Sequence, residues 1–298
     1  MADSSGTLAA ERAILERPAF LVRRRSLLRS LVRDRTAVLG LGIVVVLFAV
    51  ALLAPWIAPH DPSKQDVLNR YAPASAEHLL GTDNLGRDEF SRLLYGARIS
   101  LFTSLAVGVA ILMLGITVGL VSGFAGGAVD GILMRIVDVL LAFPSLLLAL
   151  AITGTLGPGL FHLAIAMVAV WWVDYARIVR GLVLSVKERP FVEAARALGS
   201  SSSHLAVRHL LPNILPSVIV FGTLQTGRLL LALAALSFLG LGVQPPTPEW
   251  GAMLSEGQSY LARAPQLMVY PGVAITLAGL GFNLLGDGMR DILDPRLR

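Results

Sequence analysis

Six apolar stretches, each long enough to cross a bilayer as a helix, dominate this chain. They fall near 37–58, 101–124, 132–153, 161–178, 214–240 and 267–288. About 20 apolar residues in a helix span the ~30 Å of hydrocarbon in a membrane. The expected fold class is therefore an all-α integral membrane protein with six transmembrane helices. Charged residues make up 15% of the sequence, against about 25% in soluble domains, which fits lipid as the main solvent. The first stretch is not expected to be a cleaved leader, because it lies far from residue 1 and runs into Pro-Trp-Ile-Ala-Pro rather than a small-residue cleavage site.

Charge placement sets an expected orientation. With the N-terminus in the cytoplasm, 18 of the 25 Lys and Arg fall on the cytoplasmic side and six outside, with Arg228 inside the fifth stretch. That bias predicts both termini in the cytoplasm of a multi-pass plasma-membrane protein. The net charge of +5 then reports topology, and a nucleic-acid partner loses its main support. Residues 1–35 form a basic tail whose "LVRRRSLLRSLVRDR" suits an interfacial helix on the lipid bilayer, and 36–298 form one membrane domain.

Local signals punctuate the spans. Gly115, Gly119, Gly123 and Gly127 recur every four residues and predict one helix face that another backbone approaches closely, preferably within the chain. Pro144 should kink or break the third span. The loop 241–265 is too polar to span and reads as a short re-entrant or surface helix.

Catalytic constellations are missing. There is no Gly-x-x-x-x-Gly-Lys-[Ser/Thr] for nucleotide phosphates, no His-Glu-x-x-His and no Gly-x-Ser-x-Gly. Cysteine is absent, which removes disulfides, thiolate metal sites and a cysteine nucleophile. His60, His78, His162, His204 and His209 are scattered, so no metal site is expected. Asp88 and Glu89 read as solvated charges on a wet loop. Within the membrane, Arg228 is the deep charge. An unpaired Arg there costs about 3 kcal/mol on insertion scales, so it must snorkel, pair or face water. Gln225, Thr223 and Thr226 make its surroundings less apolar, which favours a translocation path lined by Arg228 and Gln225.

The stretch "FVEAARALGSSSSHLAVRHLLPN" (191–213) is a polar interruption within the loop 179–213. Pro190 suits a helix N1 position, "FVEAARALG" follows as a helix with Gly199 as its stop, and Ser203 is placed to cap a second helix before Pro212 opens the next span. Two to eight residues would connect two spans, so the excess implies a cytoplasmic docking surface. A DNA-reading helix–turn–helix is disfavoured by tethering to the bilayer at both ends.

These residues resemble the signature loop of permeases of ATP-binding-cassette importers, in the peptide/nickel branch and its C-type subunit. The matching positions are Glu193, Ala194, Ala195, Gly199 and the run Arg208, His209, Leu210, Leu211, Pro212, Asn213. Similar stretches occur at 81–101, 135–149, 236–254 and 282–298. The resemblance implies a type I permease fold with a cytoplasmic coupling helix that enters a groove on an ATP-hydrolysing subunit. Glu193 and Arg196 would then pair across that interface. It also implies a heterodimer with a homologous B-type permease, two ATPase subunits carrying ATP and Mg, and an extracytoplasmic binding protein, with no cofactor on this chain and no catalytic residue of its own. Small peptides are the expected cargo and nickel the alternative. A membrane enzyme would need a titratable cluster facing one cavity, and a passive channel would not need the loop.

Overall fold

The computed structural model describes residues 34–293, so the basic tail expected at 1–35 lies almost wholly outside the described residues. The described residues contain no β-strand, only one isolated bridge between Thr82 and Asp88. Five helices are long and apolar enough to cross a membrane, and a sixth span arises if one bent pair counts as one.

Helix α1 (Arg35–Ile57) starts at Asp34, whose carboxylate accepts from the Thr36 and Ala37 amides at 2.8 and 3.0 Å. It buries Ala37, Gly40, Ala51 and Ala54. These residues are small because the last helix, α9 (Gln266–Leu293), approaches backbone to backbone. A Cβ on Gly40 would lie 2.4 Å from the Leu285 amide nitrogen.

Helix α2 (Glu89–Ala125) has 37 residues, about 55 Å at 1.5 Å per residue. It outlasts the hydrocarbon, so its first turns stand outside the membrane. Its glycine stripe packs on α5 (Leu160–Lys187). A Cβ at Gly115, Gly119 or Gly123 would come within 2.3, 2.6 or 2.9 Å of Tyr175, Ala176 or Val183. The seam is intramolecular, as expected. Gly127 does not belong to it. Its φ of +55° opens the next helix, and nothing lies within 4 Å of its would-be Cβ.

The third span is broken where Pro144 predicted. Helix α3 (Gly127–Leu141) and helix α4 (Ser145–Leu156) meet at 86°. Helix α3 is tied to α5 at its start by Asp130, which accepts from Arg180 Nε and Nη2 at 2.5 and 2.6 Å, and near its end by Asp138, which accepts from Arg177. Arg177 and Arg180, expected at headgroup level, therefore serve helix pairing.

Helix α6 (Pro190–Ala197) is followed by α7 (Ser202–Phe238). The expected second loop helix is no separate element. It continues through a π-helical stretch, Leu205–Leu210, directly into the span. The N-cap is Ser201 rather than Ser203, and it makes no side-chain capping bond. Pro212 lies just after the π-helical stretch, inside this continuous helix. The polar loop 241–265 holds helix α8 (Trp250–Gln258), with Trp250 and Met253 buried against α2 and α9. Outward faces carry exposed apolar side chains such as Val46, Met113 and Phe161, as a protein dissolved in lipid does.

Candidate functional site

The ends of α2 separate the molecule into two polar poles. At its C-terminus, Lys187 Nζ donates to the Phe124 carbonyl at 2.8 Å, placing the end of α5, and with it α6, at that pole. The loop 59–88 and α8 gather at the other.

The α6 pole is built locally. Pro190 occupies the first helical turn. The helix ends in a Schellman motif: the Ser200 amide donates to the Ala195 carbonyl at 3.1 Å and the Gly199 amide to the Arg196 carbonyl at 3.0 Å. Gly199 has φ +83°, a conformation that costs a residue with a Cβ about 1 kcal/mol or more. Val192 is the anchor, fully buried in one cluster with Leu205, Leu210 and Ile214. The remaining face is free. Glu193, Ala194, Arg196 and Gly199 are exposed, Ala195 and His209 half-buried, and Pro212 exposed. Leu198 is 88% exposed and Val207 61%. An apolar side chain held in water at a rigid helix end, flanked by charge, is a surface shaped for a partner. The rings of His204 and His209 lie tilted to each other at 5.6 Å between centroids, and Phe191 lies 6.5 Å from His209.

Within the fifth span Arg228 is exposed and donates to Gln225 Oε1 at 3.2 Å. Thr223 and Thr226 donate to their own helix carbonyls, Ile219 at 3.0 Å and Gly222 at 2.9 Å. Exposed Arg228 and half-buried Gln225 thus meet on one side of α7.

The opposite pole departs from expectation. Asp88 and Glu89, read as solvated, are each 2% exposed. Asp88 caps α2, accepting from the Ser91 amide at 2.8 Å. Nearby, Asp83, Arg87, Arg92 and Glu256 close a ring of alternating charge. Arg87 bonds Asp83 through Nε and Glu256 through Nη2, both at 2.5 Å, and Arg92 bonds Glu256 at 2.9 Å and faces Asp83 at 3.5 Å. Both arginines are buried, so each carboxylate answers two cations at once. The ring joins the first loop and α2 to α8. Glu89 borders the same small pocket with Asp83, Arg92 and Glu256. Burial pushes its carboxyl up to about 8, against the pull of Arg92. Alongside, Glu249 caps α8 through the Gly251 and Ala252 amides at 3.0 and 2.9 Å and accepts from Ser100 at 2.8 Å. His60, His78 and Asp88 converge within 4.8 Å, against the expectation that the histidines are scattered. Only the Asp83–Arg87 spacing, four residues apart, hinted at any of this in the sequence.

The described residues thus form a helical protein with membrane-length spans, an exposed polar elbow at one pole and a buried charged cap at the other. Comparison with known proteins makes the assignment. Residues 115–298 match the family described as "Binding-protein-dependent transport system inner membrane component", and residues 24–74 match the "N-terminal TM domain of oligopeptide transport permease C". The chain belongs to this family of importer permeases. It is 42% identical to the dipeptide transport system permease protein DppC of Alkalihalophilus pseudofirmus, over 92% of this chain and 90% of that one. It is 43% identical to the glutathione transport system permease protein GsiD of Pectobacterium atrosepticum, over 92% and 91%. A probable D,D-dipeptide transport system permease protein, DdpC of Escherichia coli K12, is 43% identical over 85% of each. Importers of this kind work with an ATPase and a substrate-binding partner.

Proposed function

We propose that this chain is the C-type permease of an ATP-driven peptide importer and is itself no enzyme. The observation that carries the cargo is its similarity to permeases named for the transport of dipeptides and glutathione, and to one named a probable D,D-dipeptide permease. A homologous permease would cover the open face of α7 that bears Arg228 and Gln225, leaving a passage at the seam. Arg228 would there present a cation to a peptide carboxylate in a medium where such contacts strengthen.

The α6–Gly199–α7 elbow is the coupling element. One of two ATPase subunits, which hold the ATP and Mg, would take Leu198, Glu193, Ala194 and Arg196 into its groove. Val192 locks α6 to the base of α7, so a push on the elbow moves the span. The Ala195 carbonyl is held by the Schellman bond, and His209 and Pro212 lie where α6's thrust meets α7. The elbow then faces the cytoplasm with both termini, and the charged cap faces the binding protein outside. Uptake of radiolabelled dipeptide and of nickel, measured side by side in cells with and without this chain, tests the cargo. Chain-dependent dipeptide uptake supports the reading. Nickel uptake without dipeptide uptake replaces it with a nickel importer.

A further inference from the structure

We propose that His60, His78 and Asp88 form a resident site for a zinc-class divalent cation, which staples the end of α1 and the first loop to the start of α2. Each residue offers one ligand atom, and the three atoms lie within 4.8 Å of one another. His78 Nδ1 is 2.9 Å and His60 Nδ1 is 3.8 Å from the same oxygen, Asp88 Oδ1. Ligands about 2.0–2.2 Å from a tetrahedral zinc stand roughly 3.3–3.5 Å apart. The two observed distances bracket that value, and the two histidine nitrogens, within 4.8 Å of each other, would close further around a bound cation.

A second observation is independent of the clustering. His60 Nδ1 is buried and has no hydrogen-bond partner. Leaving a polar nitrogen unpaired costs about 1–3 kcal/mol, and a metal bond would satisfy it. His78 has Asp88 as a partner in the metal-free geometry, whereas His60 has none. The surroundings already have the form of a metal site's outer shell. The Ser91 amide holds Asp88 Oδ2 at 2.8 Å and so turns Oδ1 toward the histidines. Ser91 Oγ in turn accepts from the His60 amide at 3.1 Å and fixes the backbone beside that ligand.

Access is graded. The side chain of Asp88 is 1% exposed, that of His78 13% and that of His60 31%. The cation would enter past His60, and a water would complete the coordination on that open side, giving three protein ligands and one exchangeable position. Two nitrogens and one carboxylate suit zinc or cobalt better than magnesium or calcium. The charge also fits, because the neighbouring ring of Asp83, Arg87, Arg92 and Glu256 is internally balanced and Asp88 has no cation of its own in it. This reading does not depend on which solute the permease carries.

The test uses the full permease complex, purified without a histidine tag, since such a tag would bind the probe. Zn2+ content and Co2+ absorption are measured after dialysis against micromolar metal. The expected result is one Zn2+ per copy of this chain, a tetrahedral Co2+ band, and a lowered unfolding midpoint after chelation. His60→Ala removes a side chain with no hydrogen bond, so folding should survive. It should weaken binding at least about tenfold, the lower end of what even outer-shell changes cost, and make the midpoint insensitive to chelator. His78→Gln should do the same. No stoichiometric binding to the wild type overturns the proposal, and so does binding that neither variant diminishes.

Discussion

Arg87 and Arg92 share one oxygen: both donate to Oε2 of Glu256, at 2.5 and 2.9 Å, from positions 169 and 164 residues away in the chain. Both guanidinium groups are almost wholly buried. Glu256 is therefore the residue that fixes α8 onto the start of α2. Glu256→Gln keeps the volume and removes the charge, leaving Asp83 alone to answer two buried cations. Breaking one side of a buried ion pair costs about 3–5 kcal/mol, so the variant should lose roughly that much stability. Thermal unfolding of the purified permease checks this, with Ser255→Ala as the neighbouring control.

Glu89 makes the same cap pH-sensitive. Burial raises its carboxyl from 4.5 to about 8, so between those values the folded state binds more protons than the unfolded one. Stability must then fall as pH rises through that window. Glu89→Gln should flatten the slope between pH 5 and pH 8. An unfolding series that keeps the wild-type slope in the variant would place the titration elsewhere.

The orientation can be read with one cysteine at a time, because the native chain has none. Ser75→Cys and Ser201→Cys place thiols at two exposed positions, in the first loop and on the elbow. A membrane-impermeant reagent should label Ser75→Cys in intact cells and Ser201→Cys only after the cells are opened. The reverse pattern would put the elbow outside, beyond reach of an ATPase.

Arg228 separates a passage residue from a snorkelling one. Arg228→Ala should lower dipeptide uptake at matched membrane levels, and Arg228→Lys should restore it only in part, because an ammonium lacks the forked geometry that grips a carboxylate. A residue that merely reaches the headgroups would make both variants nearly silent.

What the sequence revealed was local or periodic. Pro144 marked the 86° break because a proline acts on its own helix. Gly115, Gly119 and Gly123 marked the α2–α5 seam because their spacing survives any tertiary context. Gly199 marked the end of α6 because only the left-handed backbone lets the chain turn there. The ring around Glu256 and the meeting of His60, His78 and Asp88 were hidden, because each depends on a loop folding back over residues distant in sequence. Asp88 and Glu89 looked solvated for the same reason: the segments that bury them come from elsewhere in the chain. The continuous α7 was missed because the serine run signals a turn and then a cap, while the π-helical stretch that carries the helix through has no sequence mark.

The most direct measurement is ATP hydrolysis and dipeptide uptake together, in vesicles reconstituted with the permease pair, the ATPases and the binding protein. Leu198→Asp alters an exposed side chain, so folding should be spared, and Glu193→Arg reverses an exposed charge on α6. Each should cut uptake at least about tenfold, the loss of ~1.4 kcal/mol of docking energy, while hydrolysis no longer responds to the loaded binding protein. Normal, substrate-stimulated uptake in both variants would contradict the assignment of the α6–Gly199–α7 elbow as the coupling element.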